Sequence, residues 1–104
     1  MKLKKKGTKQ YPRISIFKSN KEIYVQIIDD VNRETITSFS SLNLNSIKKK
    51  NITKLIMSKI VGKNIAKKML KLNIKKAFFD RKGYIYHGRI KKLINSIRKN
   101  GIKI

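Results

Sequence analysis

The chain reads as an α/β domain of order β-β-β-α-β-α, a mixed four-stranded sheet with two helices packed on it behind a short, flexible basic arm. Three observations predict this. Two early stretches, Arg13–Ser19 and Glu22–Asp29, alternate apolar and polar residues. Two later stretches carry apolar residues at spacings of three and four. A short apolar run, "KKAFFD", lies between those two helical patterns. At 104 residues the chain holds one modest core. Residues 1–11 are therefore expected as the arm and 12–104 as the domain.

The arm, "MKLKKKGTKQYP" with Pro12, is basic and patternless. No apolar segment follows it, so it is not read as a secretory signal, and it is too Lys-rich and short for an import peptide. In "RISIFKS", Ile14 and Ile16 share one face while Arg13, Ser15 and Phe17 share the other. In "EIYVQIID", Ile23, Val25 and Ile27 oppose Tyr24 and Gln26. Ser19-Asn20-Lys21 is turn chemistry, so the pair forms an antiparallel hairpin. "RETITSFSS" (Arg33–Ser41) is a third, weaker strand reached through the Asp30–Asn32 turn.

A long helix is predicted from Ile52, Leu55, Ile56, Ile60, Ile65, Met69 and Leu72, with lysines on its other face. Asn51 or Thr53 is its expected cap, and Asn73 its left-handed stop. Gly62 inside it costs about 1 kcal/mol against Ala, which implies close packing, expected on the sheet. "KKAFFD" reads as a buried strand. Ile90, Leu93, Ile94 and Ile97 then form a helical stripe ending at Asn100-Gly101. A helix between the third and fourth strands implies a right-handed crossover.

Charge narrows the function. Lys and Arg number 28 against 5 acids, for a formal net charge of +23. Residues 1–34 carry +5 and residues 35–104 carry +18. So lopsided a surface calls for a phosphate-covered partner. There is no Cys, which excludes disulfides, thiolate metal sites and cysteine nucleophiles. No apolar run approaches the ~18 residues of a membrane span. Abundant Lys, Ile and Asn beside only two Ala suit an AT-rich genome, whether of an endosymbiont, a plastid or a bacterium.

"FFDRKGYIYHGRI" (Phe78–Ile90) gathers the sole His and the sole acid after Glu34. As an enzyme it lacks the converging carboxylates of a two-metal site and the acid–base pair of a ribonuclease. As a binding element it is coherent. Gly83 and Gly88 permit tight turns, and the N–H groups of a helix start attract phosphate. Arg81, Lys82, His87 and Arg89 supply donors, and Tyr84 and Tyr86 supply stacking surfaces. Plainer roles stay open: Asp80 as cap or salt-bridge partner of Arg81 or Arg89, His87 bonded only to backbone, Tyr84 or Tyr86 as packing. The hairpin face with Arg13, Phe17, Tyr24 and Gln26 offers cation, aromatic and amide together, again suited to RNA. The lysines of the long helix (Lys54, Lys59, Lys63, Lys67, Lys68, Lys71) fit a solvated face equally well.

"PRISIFKSNKEIYVQIIDD" (Pro12–Asp30), "IVGKNIAKKMLKLNIKKAFFDR" (Ile60–Arg81) and "GYIYHGRIKKLINSIRKNGIKI" (Gly83–Ile104) together resemble the bacterial-type large-subunit ribosomal protein L-eighteen family. The resemblance implies a structural constituent of the large subunit that binds 5S rRNA and helps attach it to large-subunit rRNA in the central protuberance. It implies no enzymatic activity, no cofactor, no small-molecule substrate and no membrane, and neighbouring ribosomal proteins as further partners. It places the chain on the ribosome of a bacterium or a bacterial-derived organelle. Carried onto this sequence, the expected RNA-binding residues are Lys4, Lys5, Lys6, Arg13, Phe17, Lys18, Ser19, Asn20, Tyr24, Gln26, Arg81, Lys82, Tyr84, Tyr86, His87 and Arg89. The arm before Pro12 is shorter than is usual in bacterial members, and Asn73 stands where the family usually has Gly. The principal alternative is a basic architectural DNA-binding protein reading a groove with Lys91, Asn95 and Arg98. A basic amphipathic helix on a membrane surface is the third class, but the long helix lacks Trp and Phe anchors.

Overall fold

Strict alternation in the first two strands decides the sheet. In the computed structural model, which describes residues 6–44, 53–79 and 88–104, β1 (Arg13–Lys18) and β2 (Ile23–Asp29) pair antiparallel. Their register sets Ile14 opposite Ile27 and Ile16 opposite Val25, so the apolar side chains meet on one face. All of these and Ile23 are buried. Each such side chain contributes about 1.5–3 kcal/mol by leaving water. β3 (Glu34–Ser40) adds antiparallel to β2, with a bulge between Ile27 and Ile28. β4 (Phe78–Phe79) adds parallel to β1, giving a mixed sheet of order β3-β2-β1-β4. The expected strand "KKAFFD" is thus two paired residues, both half-buried, with a further bridge at Lys76.

The β2–β3 turn is organised by a buried carboxylate. Asp29 accepts from the Val31 and Asn32 main-chain N–H groups at 3.0 and 3.1 Å and from Asn32 Nδ2 at 2.7 Å. Arg33 closes the turn in the left-handed region at φ 53°, so β3 begins at Glu34, not at Arg33. The Asn32 side-chain bond, opposed by burial and assisted by the two main-chain donors and Lys9, holds the Asp29 carboxyl below its ordinary range.

Both helices stop by the same device. α1 (Lys54–Lys71) is capped by Thr53, whose Oγ1 accepts from Ile56 N at 3.2 Å; Asn51, the other expected cap, lies outside the described residues. At its end Asn73 takes φ 61°, and Asn73 N and Ile74 N donate to the Leu70 and Met69 carbonyls. α2 (Gly88–Lys99) ends likewise, with Gly101 at φ 106° and Gly101 N and Ile102 N donating to the Arg98 and Ile97 carbonyls. In each case the six-to-one and five-to-two bonds satisfy orphan carbonyls, and a buried isoleucine follows. The second exit carries Lys103 beside Lys76, where Ala77 N donates to Lys103 O and Lys103 N to Lys75 O, each at 2.9 Å.

The buried stripe of α1 is the expected one only in part: Ile65 and Met69 are buried and Ile60 half-buried, while Ile52 lies outside the described residues. Leu55, Ile56 and Leu72 are 43, 49 and 50% exposed. Met57 and Val61 join Ile65 and Met69 in the buried stripe, flanked by Ser58, Gly62 and Ala66. Small side chains every fourth residue let α2 close on that flank, so proximity of the second helix, which apolar spacing ignores, fixes the rotation. Gly62 belongs to this contact: a Cβ there would lie 2.6 Å from Leu93 O and 2.7 Å from Ser96 Cβ. Its close packing is therefore against α2 and not the sheet. Ser96 Oγ donates to Lys59 O at 2.6 Å beside it. Both helices cover the face bearing Ile14, Ile16, Ile23, Val25 and Ile27, forming one core with Leu93, Ile94 and Ile97.

Of the arm expected over residues 1–11, the part from Gly7 onward is fastened. Gly7 N donates to Asp30 Oδ2 at 2.7 Å, and Asp30 N returns a bond to Gly7 O at 2.8 Å. A Cβ at Gly7 would lie 2.4 Å from Ile28 O. Thr8 and Tyr11 exchange bonds in a short turn, and Phe78 N reaches Pro12 O at 3.1 Å.

Two predictions follow from this packing. Gly62→Ala improves helix propensity by about 1 kcal/mol, but it overpacks a site walled by backbone, which typically costs about 1–3 kcal/mol. Thermal melts will show a lower midpoint despite the better helix former. Ile94→Ala, by opening a cavity, lowers stability by about 2–5 kcal/mol. For Asp29, the folded pKa lies below the unfolded value of about 3.9, so its contribution is present above that pH and is lost as pH falls through the folded value. Asp29→Asn turns an amide donor toward Asn32 Nδ2. Its melting midpoint will lie below wild type at neutral pH, and the gap will narrow as pH drops below about 4.

Candidate nucleic-acid interface

With both helices on one side, the other side of the sheet is uncovered in its centre among the described residues. The register that buries Ile14 and Ile27 turns the intervening residues outward. It aligns Phe17 with Tyr24 and Ser40, and Ser15 with Gln26 and Ser38. Phe17 is 65% exposed and packs against Tyr24 with ring centroids 6.1 Å apart at 58°. Gln26 is exposed and Tyr24 half-buried. Between β2 and β3 lies a shallow cavity of about 110 Å³, edged by Tyr24, Gln26, Ser38, Ser40 and Asn43. An exposed π-face beside hydroxyl and amide groups is what an unstacked base or a ribose requires.

Arg13 lies on the same face but is not the bare cation that the alternation suggested. Its Nε and Nη2 donate to Asp30 Oδ2 and Oδ1 at 3.0 and 2.9 Å, a two-pronged grip with both side chains largely buried. Asp30 thereby joins β1, the β2–β3 turn and Gly7. Near this clasp, Tyr11 packs on Phe78 at 5.2 Å and 48°, with Lys76 Nζ 5.5 Å from the Tyr11 ring. Neither aromatic was among the candidate residues. The signal was available: in "FF" on a strand, one ring must take each face.

The hairpin turn is a second focus. Ser19 N donates to Glu22 O at 2.9 Å and Glu22 N to Ser19 Oγ at 3.2 Å. Arg89, in the first turn of α2, reaches across to donate Nη2 to Ser19 O at 2.8 Å and Nη1 to Glu22 O at 3.5 Å. Arg89 is half-buried here, its guanidinium held by the hairpin turn. Lys54, in the first turn of α1, places Nζ 3.3 Å from Asn20 Oδ1. Behind the turn, Ser41 Oγ donates to Glu22 Oε1 at 2.7 Å and accepts from Ile23 N at 3.0 Å. Neither helix has an acidic residue in its first turn. Positive helix ends thus coincide with Lys54 and Arg89, leaving this end of the sheet strongly cationic.

Lys6, Lys18, Ser19 and Asn20 are exposed. Lys4, Lys5, Arg81, Lys82, Tyr84, Tyr86 and His87 lie outside the described residues, as does Asp80. Among the described residues there is no group of three His, Cys, Asp or Glu placed to hold a metal ion. No helix among them is long and apolar enough to cross a membrane.

Comparison with known proteins is consistent along the chain. The family described as ribosomal L18 of archaea, bacteria, mitochondria and chloroplast matches residues 1–104. The large ribosomal subunit protein uL18c of Gracilaria tenuistipitata var. liui is 47% identical over 104 residues, covering 99% of both chains. The large ribosomal subunit protein uL18 of Lactobacillus acidophilus is 48% identical over 96 residues, 92% of this chain and 79% of that one. Its counterpart in Bacteroides thetaiotaomicron is 43% identical over 97 residues, 93% and 82% of the two.

Proposed function

The chain belongs to the ribosomal L18 family, and from that premise we propose that it binds 5S rRNA through the open sheet face and the hairpin end, and helps attach it to large-subunit rRNA in the central protuberance. As a member of the family it is a structural constituent of the large ribosomal subunit and not an enzyme. Its place is the ribosome of a bacterium or plastid, with rRNA and ribosomal proteins as its partners. The architectural DNA-binding alternative gives way to this membership.

One observation carries the finer reading: Phe17 stands exposed, packed on Tyr24 and beside exposed Gln26, on a sheet face that neither described helix covers. A ring 65% in water adds little to the fold, so its value lies in what stacks on it. Exposed Lys18 and the cationic hairpin end supply phosphate contacts next to it. Lys4, Lys5, Lys6, Arg81, Lys82, Tyr84, Tyr86 and His87 extend the proposed contacts along the chain. Arg13 contributes by setting the face through Asp30.

Titration of 5S rRNA tests the reading. Phe17→Ala will leave the melting midpoint nearly unchanged and weaken 5S rRNA binding by about 1–3 kcal/mol. Undiminished binding would remove the sheet face from the interface. If about six phosphates are neutralised, affinity falls by about three powers of ten between about 50 and 200 mM salt. Arg89→Ala separates a second contribution. Because Arg89 holds two carbonyls of the hairpin turn, its loss lowers stability by about 1 kcal/mol and also weakens 5S rRNA binding. Arg89→Lys, lacking the planar fork, will recover only part of either effect. Full RNA binding by Arg89→Ala would make that residue a brace alone.

A further inference from the structure

On the far side of the helix layer a crevice of about 150 Å³ runs between α1 and α2, lined by Lys59, Lys92, Lys99, Asn95 and Ser96. We propose that this crevice is a phosphate-backbone site for a second RNA segment, distinct from the one on the sheet face; the proposal rests on the chain being an RNA-binding protein and not on which RNA the sheet face takes.

The crevice follows from the helix packing. Gly62 lets Leu93 O and Ser96 approach α1, and Ser96 Oγ bonds Lys59 O, so the two helices are locked at the base of the groove. Along α2, residues 92, 95, 96 and 99 recur at the helical spacing, each two positions on from the core stripe at 90, 93, 94 and 97. Two positions are about 200° around a helix, so the crevice opens away from the sheet. Lys59, Lys92 and Lys99 are exposed, and no carboxylate of the described residues lies within ion-pairing distance of them. Three ammonium groups on one small groove repel one another, and the arrangement is stabilised by an anion. The cations of the lining are lysines, compact charges on flexible stems, while the nearby Arg98 donates Nη1 to Asn95 Oδ1 at 3.5 Å. Such a site suits phosphodiesters, and it holds backbone without reading bases. Because the sheet and the helix layer separate it from Phe17 and Gln26, one straight duplex cannot occupy both sides.

The test uses the full chain with 5S rRNA bound, and as probe a labelled A-form RNA hairpin of arbitrary sequence. The preformed complex is expected to take up the hairpin with steep salt dependence. The triple variant Lys59→Gln, Lys92→Gln, Lys99→Gln should lose about tenfold or more in hairpin affinity while 5S rRNA affinity changes less than about threefold. A charge-matched control, Lys63→Gln, Lys67→Gln, Lys71→Gln, should lose less than about threefold for the hairpin. Equal losses in the two triples would mean diffuse charge, and loss of 5S rRNA in the crevice triple would mean a single continuous interface; either overturns the proposal. Absence of hairpin uptake by the wild-type complex overturns it as well. Should wild type fail to bind 5S rRNA, the function proposed above fails separately, and hairpin titrations of the protein alone with both triples still decide the crevice.

Discussion

The approach of α2 to Gly62 is the contact on which the architecture depends. A small sheet cannot carry two helices side by side unless they sit close, and closeness is set by the smallest side chain between them. Gly62, flanked by Ser58 and Ala66, supplies that, and Ser96 turns the void into a hydrogen bond to Lys59 O. With both helices thus fitted on one face, the other is left to Phe17, Tyr24 and Gln26. A core residue and an exposed aromatic on opposite sides of the sheet are therefore linked by one glycine.

Much of this was legible in the residues. Period-two alternation placed Ile14, Ile16, Ile23, Val25 and Ile27 inside because a half-buried strand has only two faces to choose between. Asn73 and Gly101 announced the helix ends because few other residues accept positive φ. The rotation of α1 was not legible. That helix has apolar residues nearly all round, and the buried side was decided by small residues facing a partner helix distant in sequence. Nor was the clasp on Arg13, since its partner Asp30 is seventeen positions away and reads locally as turn chemistry. For the same reason the fastening of Gly7 and the pairing of Tyr11 with Phe78 escaped: they are meetings between segments, and local pattern has no term for them.

The scarce carboxylates are used inward. Asp29 organises a turn, Asp30 joins three segments, and Glu22 receives Ser41 behind the hairpin. None of these three is spent on neutralising the lysine-rich helix faces. These three anions thus build the fold, while the surplus of cations faces the surroundings. A net charge of +23 opposes compaction, and an RNA partner relieves the repulsion while it binds.

The shared stop motif of the two helices bears on synthesis. It returns the chain twice to the β4 edge, so that Lys75 and Ala77 are completed only by Lys103. A chain made from its N-terminus presents the β1–β2 hairpin long before residues 57–69 and 90–97 exist to cover its isoleucines. Through that interval the nascent sheet is an adhesive surface, with apolar side chains and unpaired strand edges open together. The basic residues flanking the hairpin strands, Arg13, Lys18 and Lys21, then act as gatekeepers, keeping emerging chains apart by mutual repulsion until the last segment closes the edge.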